Sequence, residues 1–129
     1  MSITKFSGAS PANIPITAAF VFVGGTANVN VAANQRLTAS GMAGLGTALM
    51  AVAQVDICYR NGPAPAALVN FAGGSVSTVG FLAGKAPYAV TGTIAPNLAA
   101  TLTVGFCVRN NSAALVGSDF VNGWVQVTN

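Results

Sequence analysis

Punctuation limits what this chain can fold into: 15 Gly and 6 Pro interrupt its 129 residues at short intervals, and the runs between them are rich in Val, Thr, Phe and Ala. Short runs of β-branched and aromatic residues between turn formers are the pattern of an all-β sandwich or barrel. Ten strands are predicted, over residues 16–23, 27–32, 35–42, 50–60, 67–71, 76–82, 88–94, 101–109, 113–116 and 121–128. Within them the period is two. Asn28 and Asn30 alternate with Val29 and Val31, and Thr91 and Thr93 with Val90 and Ile94, which buries one face and leaves the other polar. The run 16–23 is apolar on both faces, with Phe20 and Phe22 opposed to Val21 and Val23, so it needs cover on both sides. Good helix formers over 44–54 and 97–102 predict short helical turns there. Residues 1–15 read as an N-terminal lead-in, a junction to a stalk, before a single domain over 16–129.

Charge is scarce. Only 5% of residues are Asp, Glu, Lys or Arg, against about 25% in an ordinary soluble domain. An exterior of Ala, Val, Thr, Ser, Asn and Gly favours association with other copies. Membrane insertion is the other use of low charge, and 37–55 is uncharged and nearly long enough for a spanning helix, yet it carries three Gly, two Thr and a Ser, which argues against one. The opening MSITKFSGASPANIP has no apolar signal core, so export is expected by another route or as part of a longer chain. The five cations, Lys5, Arg36, Arg60, Lys85 and Arg109, are scattered, whereas nucleic-acid binding needs them clustered.

Both cysteines fall in an internal echo: ICYRN at 57–61 is followed by AALV at 66–69, and FCVRN at 106–110 by AALV at 113–116. The echo predicts two hairpins of one design. By strand parity Val55, Ile57 and Tyr59 share a core face, opposite Gln54, Asp56, Cys58 and Arg60; Leu102, Val104, Phe106 and Val108 oppose Thr103, Gly105, Cys107 and Arg109. If the two strands are neighbours, Cys58 and Cys107 are close enough to bridge, and Asp56 can pair with Arg60 or Arg109; two small buried thiols fit the same pattern. Arg60 and Arg109 suit charge balance at a subunit interface or contact with a ligand, and Trp124 suits a core or interface.

Enzyme chemistry is not signalled. The chain has no His and no Glu, and its only carboxylates are Asp56 and Asp119, which leaves the usual acids, bases and metal ligands missing. A Ser or Thr nucleophile would need Lys5 or Lys85 as its base, and a glycosidase pair would need both Asp residues in one cleft. Neither cofactor nor metal is expected.

The segments LTASGMAGLGTA, QVDICYRN, LVNFAGG, TVGFCVRN and DFVNGWVQVTN resemble the globular heads behind collagen-like or fibrous stalks in bacterial surface proteins, similar to the tumour necrosis factor and complement jelly rolls. The resemblance covers 17–129. It implies an antiparallel jelly-roll β-sandwich of ten strands, assembled as a compact homotrimer at a fibre tip. It also implies that the two Cys strands lie side by side, with the Trp124 strand next to the first. Gln54, Asp56, Thr103, Trp124 and Gln126 would then form the trimer interface. The function expected is non-catalytic surface recognition of a cell-surface glycan or protein, at Arg60, Asn61, Tyr88, Arg109, Asn110 and Asn111; a purely structural trimerisation cap or virion building block is the alternative.

Overall fold

Period-two alternation resolves into ten strands, and no helix among the described residues, in a computed structural model that describes residues 1–9, 13–48, 51–73, 77–81, 84–112 and 114–129. The strands are β1 (Ser2–Ala9), β2 (Asn13–Ile14), β3 (Val21–Val31), β4 (Arg36–Thr47), β5 (Ala51–Asn61), β6 (Val69–Asn70), β7 (Ser77–Phe81), β8 (Gly84–Ile94), β9 (Ala100–Arg109) and β10 (Val116–Thr128). Sheet A runs β1-β10-β4-β8 with β2 also on β10; sheet B runs β3-β9-β5-β6 with β7 also on β5. Every pairing is antiparallel. The chain changes sheet from β2 to β3, β3 to β4, β4 to β5, β7 to β8, β8 to β9 and β9 to β10, so most strands adjacent in sequence lie in opposite sheets, as in a jelly roll.

Several expectations change. Residues 2–9 are not a lead-in: β1 pairs with β10 from Ser2–Val127 to Ala9–Phe120, and Phe6 enters the core at 2% exposure. A polar strand with a single inward aromatic has no strong period to announce it. The strands expected at 16–23 and 27–32 are one strand, β3, beginning at Val21 and carrying a register shift between Phe22 and Thr26. The helical turns expected over 44–54 and 97–102 are absent: Gly44–Thr47 and Ala51–Gln54 are strand, and β9 starts at Ala100. Pairing with sheet neighbours on either side outweighs the helix propensity of Ala and Leu, which tertiary context overrides. The stretch 37–55 is thus mostly two strands, and no helix is long and apolar enough to cross a membrane among the described residues. Expected strand ends at Met50, Val76, Leu82 and Ala113 lie outside the described residues.

The echo breaks after its arginines. After the first copy the chain returns to sheet B as β6 on β5; after the second it crosses to sheet A and becomes β10. β10 lies between β1 and β4, so Trp124 is not beside the Cys strands as expected but in the opposite sheet.

The core lies between the two inward faces. Leu37, Ala39, Ala43 and Leu45 of β4 and Val121, Val125 and Val127 of β10 meet Val55 and Ile57 of β5 and Leu102, Val104, Phe106 and Val108 of β9. One aromatic ring sets the spacing at the β1 end. Phe6 is opposite Gly123, which is opposite Gly41. The ring lies over both: a Cβ on Gly123 would stand 2.4 Å from Phe6 Cζ, and one on Gly41 3.1 Å from it. A glycine row under a ring is how a sheet admits bulk without opening a gap. Gly123→Ala is expected to lower stability by about 1–3 kcal/mol through overpacking, read as a lower urea midpoint with an unchanged m-value.

Candidate binding groove

β5 and β9 lie side by side at the middle of sheet B, with Asp56 opposite Cys107 and Cys58 opposite Gly105. Cys58 and Cys107 are therefore diagonal neighbours on the outward face. Their Cα atoms are 5.7 Å apart and they form a disulfide, within the span a bridge requires. Both are fully buried although they point away from the core.

What flanks the bridge comes from both sides of the sheet. On the β9 side, Phe22 is opposite Cys107. On the β5 side, Asn70 of β6 is opposite Cys58. Asp56, 3% exposed, locks the second flank in place. One carboxylate oxygen accepts from the Ile57 N–H at 2.8 Å, and the other from Asn70 Nδ2 and the Ala72 N–H, each at 3.0 Å. The expected pairing of Asp56 with Arg60 or Arg109 is thus replaced by neutral donors. Burial explains it: a deep carboxylate is best satisfied by fixed backbone and amide donors close by, whereas the arginines extend over the surface.

Arg60 and Arg109 stand over this face on aromatic rings. The Arg109 guanidinium carbon is 4.9 Å from the Phe20 ring centroid, and that of Arg60 is 5.6 Å from the Phe22 centroid, both in cation–π range. Their Nε–H groups are also taken: Arg60 donates to the Gly62 carbonyl at 3.0 Å, and Arg109 donates to Gln54 Oε1. Gly105 makes the stacking possible, since a Cβ there would meet Thr26 Cγ2 at 2.8 Å and Phe22 Cδ1 at 3.2 Å. Between the segments 18–22 and 65–68, with Asn70 and both arginines, runs an open groove of about 680 Å³.

The expected recognition residues do not converge as a set. Arg60 and Arg109 line the groove. Asn61 and Asn111 are exposed, but antiparallel pairing puts them at opposite ends of the sheet, Asn61 opposite Leu102 and Arg109 opposite Gln54. Asn110 is fully buried: its amide donates to the Ala114 carbonyl at 2.9 Å and its Oδ1 accepts from the Ser112 N–H and hydroxyl. It shapes a turn and is not open to a ligand. Tyr88 is in sheet A, directed inward against the core. Phe20 and Phe22 were missed as groove residues. Their signal was the run apolar on both faces, whose second cover turns out to be two guanidinium groups of the same chain.

The expected interface set is divided between opposite surfaces. Gln54 holds Arg109, Asp56 is buried, and the Thr103 hydroxyl donates to Asn28 Oδ1 at 2.9 Å, all on the outward side of sheet B. Trp124, 37% exposed, and Gln126 are on the outward side of sheet A. There Trp124 borders a depression of about 330 Å³ with Lys5, Ser40, Met42, Ala89 and Asn122. Asp119, the second carboxylate, pairs with Lys85 in sheet A, so the two Asp residues share no cleft. No group of metal-ligating side chains occurs among the described residues.

No family model and no curated protein matches the chain. Among solved structures, a chain of infectious bursal disease virus, Gx strain, is similar with TM-score 0.44 and 9% identity over 96% of this chain. This chain spans 30% of that one's length. A protein from work on CBM4 structure and function is similar with TM-score 0.39 and 13% identity, covering 95% of this chain and 77% of that one. A Bacillus endospore appendage protein, of a family of disulfide-linked pili, gives TM-score 0.38 and 16% identity, covering 95% of this chain and 87% of the other.

Two outcomes follow from this geometry. Replacing both cysteines by Ala is expected to cost about 4 kcal/mol, the chain entropy of a closed loop of this length with its ends 49 residues apart, measured by denaturant unfolding against the oxidised protein. Asp56→Asn turns an amide N–H₂ toward groups that themselves donate, and is expected to cost about 2 kcal/mol, with faster amide exchange at Ala72 than at β9 positions.

Proposed function

We propose that this chain is a non-catalytic, surface-displayed recognition domain that assembles as a homotrimer and holds a cell-surface saccharide in the sheet B groove. The observation that carries the reading is the groove itself, an open depression walled by two positioned guanidinium groups with no acid–base pair beside them. Asp56 is saturated by hydrogen bonds and Asp119 is ion-paired in the other sheet, while the sequence has no His or Glu. General acid–base chemistry therefore has no free group to work with at this face. The disulfide supports an oxidising, extracellular setting.

Sheet A supports the assembly. Its outward face carries Ile3, Trp124 and Phe120 exposed among Ser, Thr and Asn, an apolar surface of the sort that monomers rarely leave open. Pairing through this face keeps the groove accessible on each subunit, so weak sites gain avidity from one assembly. Gln54, Asp56 and Thr103 have no part in it.

Light scattering at micromolar concentration is expected to return three times the 12.8 kDa chain mass, and a monomer overturns the assembly. On a glycan array the trimer is expected to bind a restricted set of saccharides, with Ala67→Trp, which fills the groove from its exposed rim, losing at least about ten-fold in signal. A trimer that binds nothing on the array is a structural cap instead.

A further inference from the structure

We infer that the groove selects an acidic saccharide, one carrying carboxylate or sulfate groups, gripped by the terminal N–H₂ edges of Arg60 and Arg109. The inference rests on the groove being the ligand site and adds the chemistry of what enters it.

Each guanidinium has two faces and an edge of donors, and the structure accounts for part of each. Phe20 covers one face of the Arg109 group and Phe22 one face of the Arg60 group. The Nε–H of Arg109 is taken by Gln54 and that of Arg60 by the Gly62 carbonyl. What stays unbonded among the described residues is the paired N–H₂ edge of each, both on groove-lining side chains. A guanidinium held in this way has already lost its rotamer freedom, and its open edge matches the two oxygens of a carboxylate or sulfate.

No carboxylate of the protein competes for these edges. Of the two in the sequence, Asp119 is bound to Lys85. Asp56 lies on the same face but is buried, with its oxygens turned to Ile57, Asn70 and Ala72. Its charge offsets one guanidinium, leaving the face with one positive charge in excess. The charges a ligand can reach are both positive.

The shape favours a saccharide over an acidic peptide. Apart from the arginines and the rings they cover, the lining is Ala18, Ala19, Ala66 and Ala67 with Val21, Pro65, Leu68 and Asn70, mostly short side chains along an open groove, whereas a peptide side chain is anchored in an enclosed apolar pocket. Phe20 and Phe22 are two residues apart in the chain, each carries one guanidinium, and both arginines line the one groove, so both edges serve one stretch of a linear polymer. Repeated anionic groups along a polysaccharide then meet both arginines at once.

Binding of oligogalacturonate, dextran sulfate, neutral dextran and poly-L-glutamate to the intact protein, by calorimetry at 50 and 200 mM NaCl, tests this. Oligogalacturonate or dextran sulfate is expected to bind, the stronger of the two showing whether carboxylate or sulfate is preferred, and to weaken as salt rises. Arg60→Gln and Arg109→Gln are each expected to weaken it at least ten-fold. The control Arg36→Gln, charge-matched to each single variant and at the first residue of β4 outside the groove, is expected to bind within two-fold of wild type, and Arg60→Lys/Arg109→Lys to recover only a minor part, since Lys keeps the charge without the fork. Thermal melts establish that each variant is folded. Equal loss in the control, undiminished binding by Arg60→Gln/Arg109→Gln, or poly-L-glutamate binding as tightly as the saccharides overturns the inference. Neutral dextran binding that Ala67→Trp abolishes and the arginine variants retain overturns it too, and leaves the groove as the ligand site.

Discussion

The register of β5 against β9 sets both faces of sheet B at once, because strand side chains alternate and a one-residue slip would exchange the faces. In the observed register Val55 and Ile57 line the core with Leu102, Val104, Phe106 and Val108, and the disulfide of Cys58 and Cys107 lies on the reverse. A covalent bond between diagonal neighbours holds the pairing that the apolar faces select. The arginine positions follow from it: two residues beyond each cysteine along antiparallel strands, Arg60 and Arg109 approach the bridge from opposite ends.

A sheet normally buries one face, yet here the middle of the reverse face is buried as well. Asp56 accounts for much of this. By drawing in Asn70 and the backbone of Ala72 it fixes the short strand β6 and the turn after it against β5. On the other flank the two phenylalanines lie beneath guanidinium groups. The outward side is a built surface, with a covalent floor, one wall held by a carboxylate and the other by cation–π stacking. Among the described residues the outward face of sheet A carries paired hydroxyls, Thr38 with Thr93 and Ser40 with Thr91, and exposed apolar side chains around Trp124.

Such an arrangement suits a chain with little charge. Lys85 and Asp119 neutralise each other at the surface and Asp56 is held by neutral donors, so the arginines of the Cys-x-Arg-Asn pair are left with aromatic faces and uncharged acceptors as their partners.

Strand content, the all-β class and the inward faces of β5 and β9 were legible in the residues, because period two and turn chemistry are local properties; the two-sheet sandwich and the adjacency of the Cys strands were implied only by the family resemblance. The double apolar face around Phe20 and Phe22 was legible as a need for cover, though not its source. Three things were decided only by tertiary structure. The strand at Ser2–Ala9 is stabilised by a partner more than a hundred residues away, and its own pattern is nearly mute. The matching Arg-Asn ends look like twins in the sequence but are carried to opposite ends of a sheet by antiparallel pairing, one asparagine exposed and the other buried in a turn. And Trp124, equivalent by parity to the outward residues of the Cys strands, is on the far surface, because parity assigns a face within a sheet and says nothing of which sheet a strand joins.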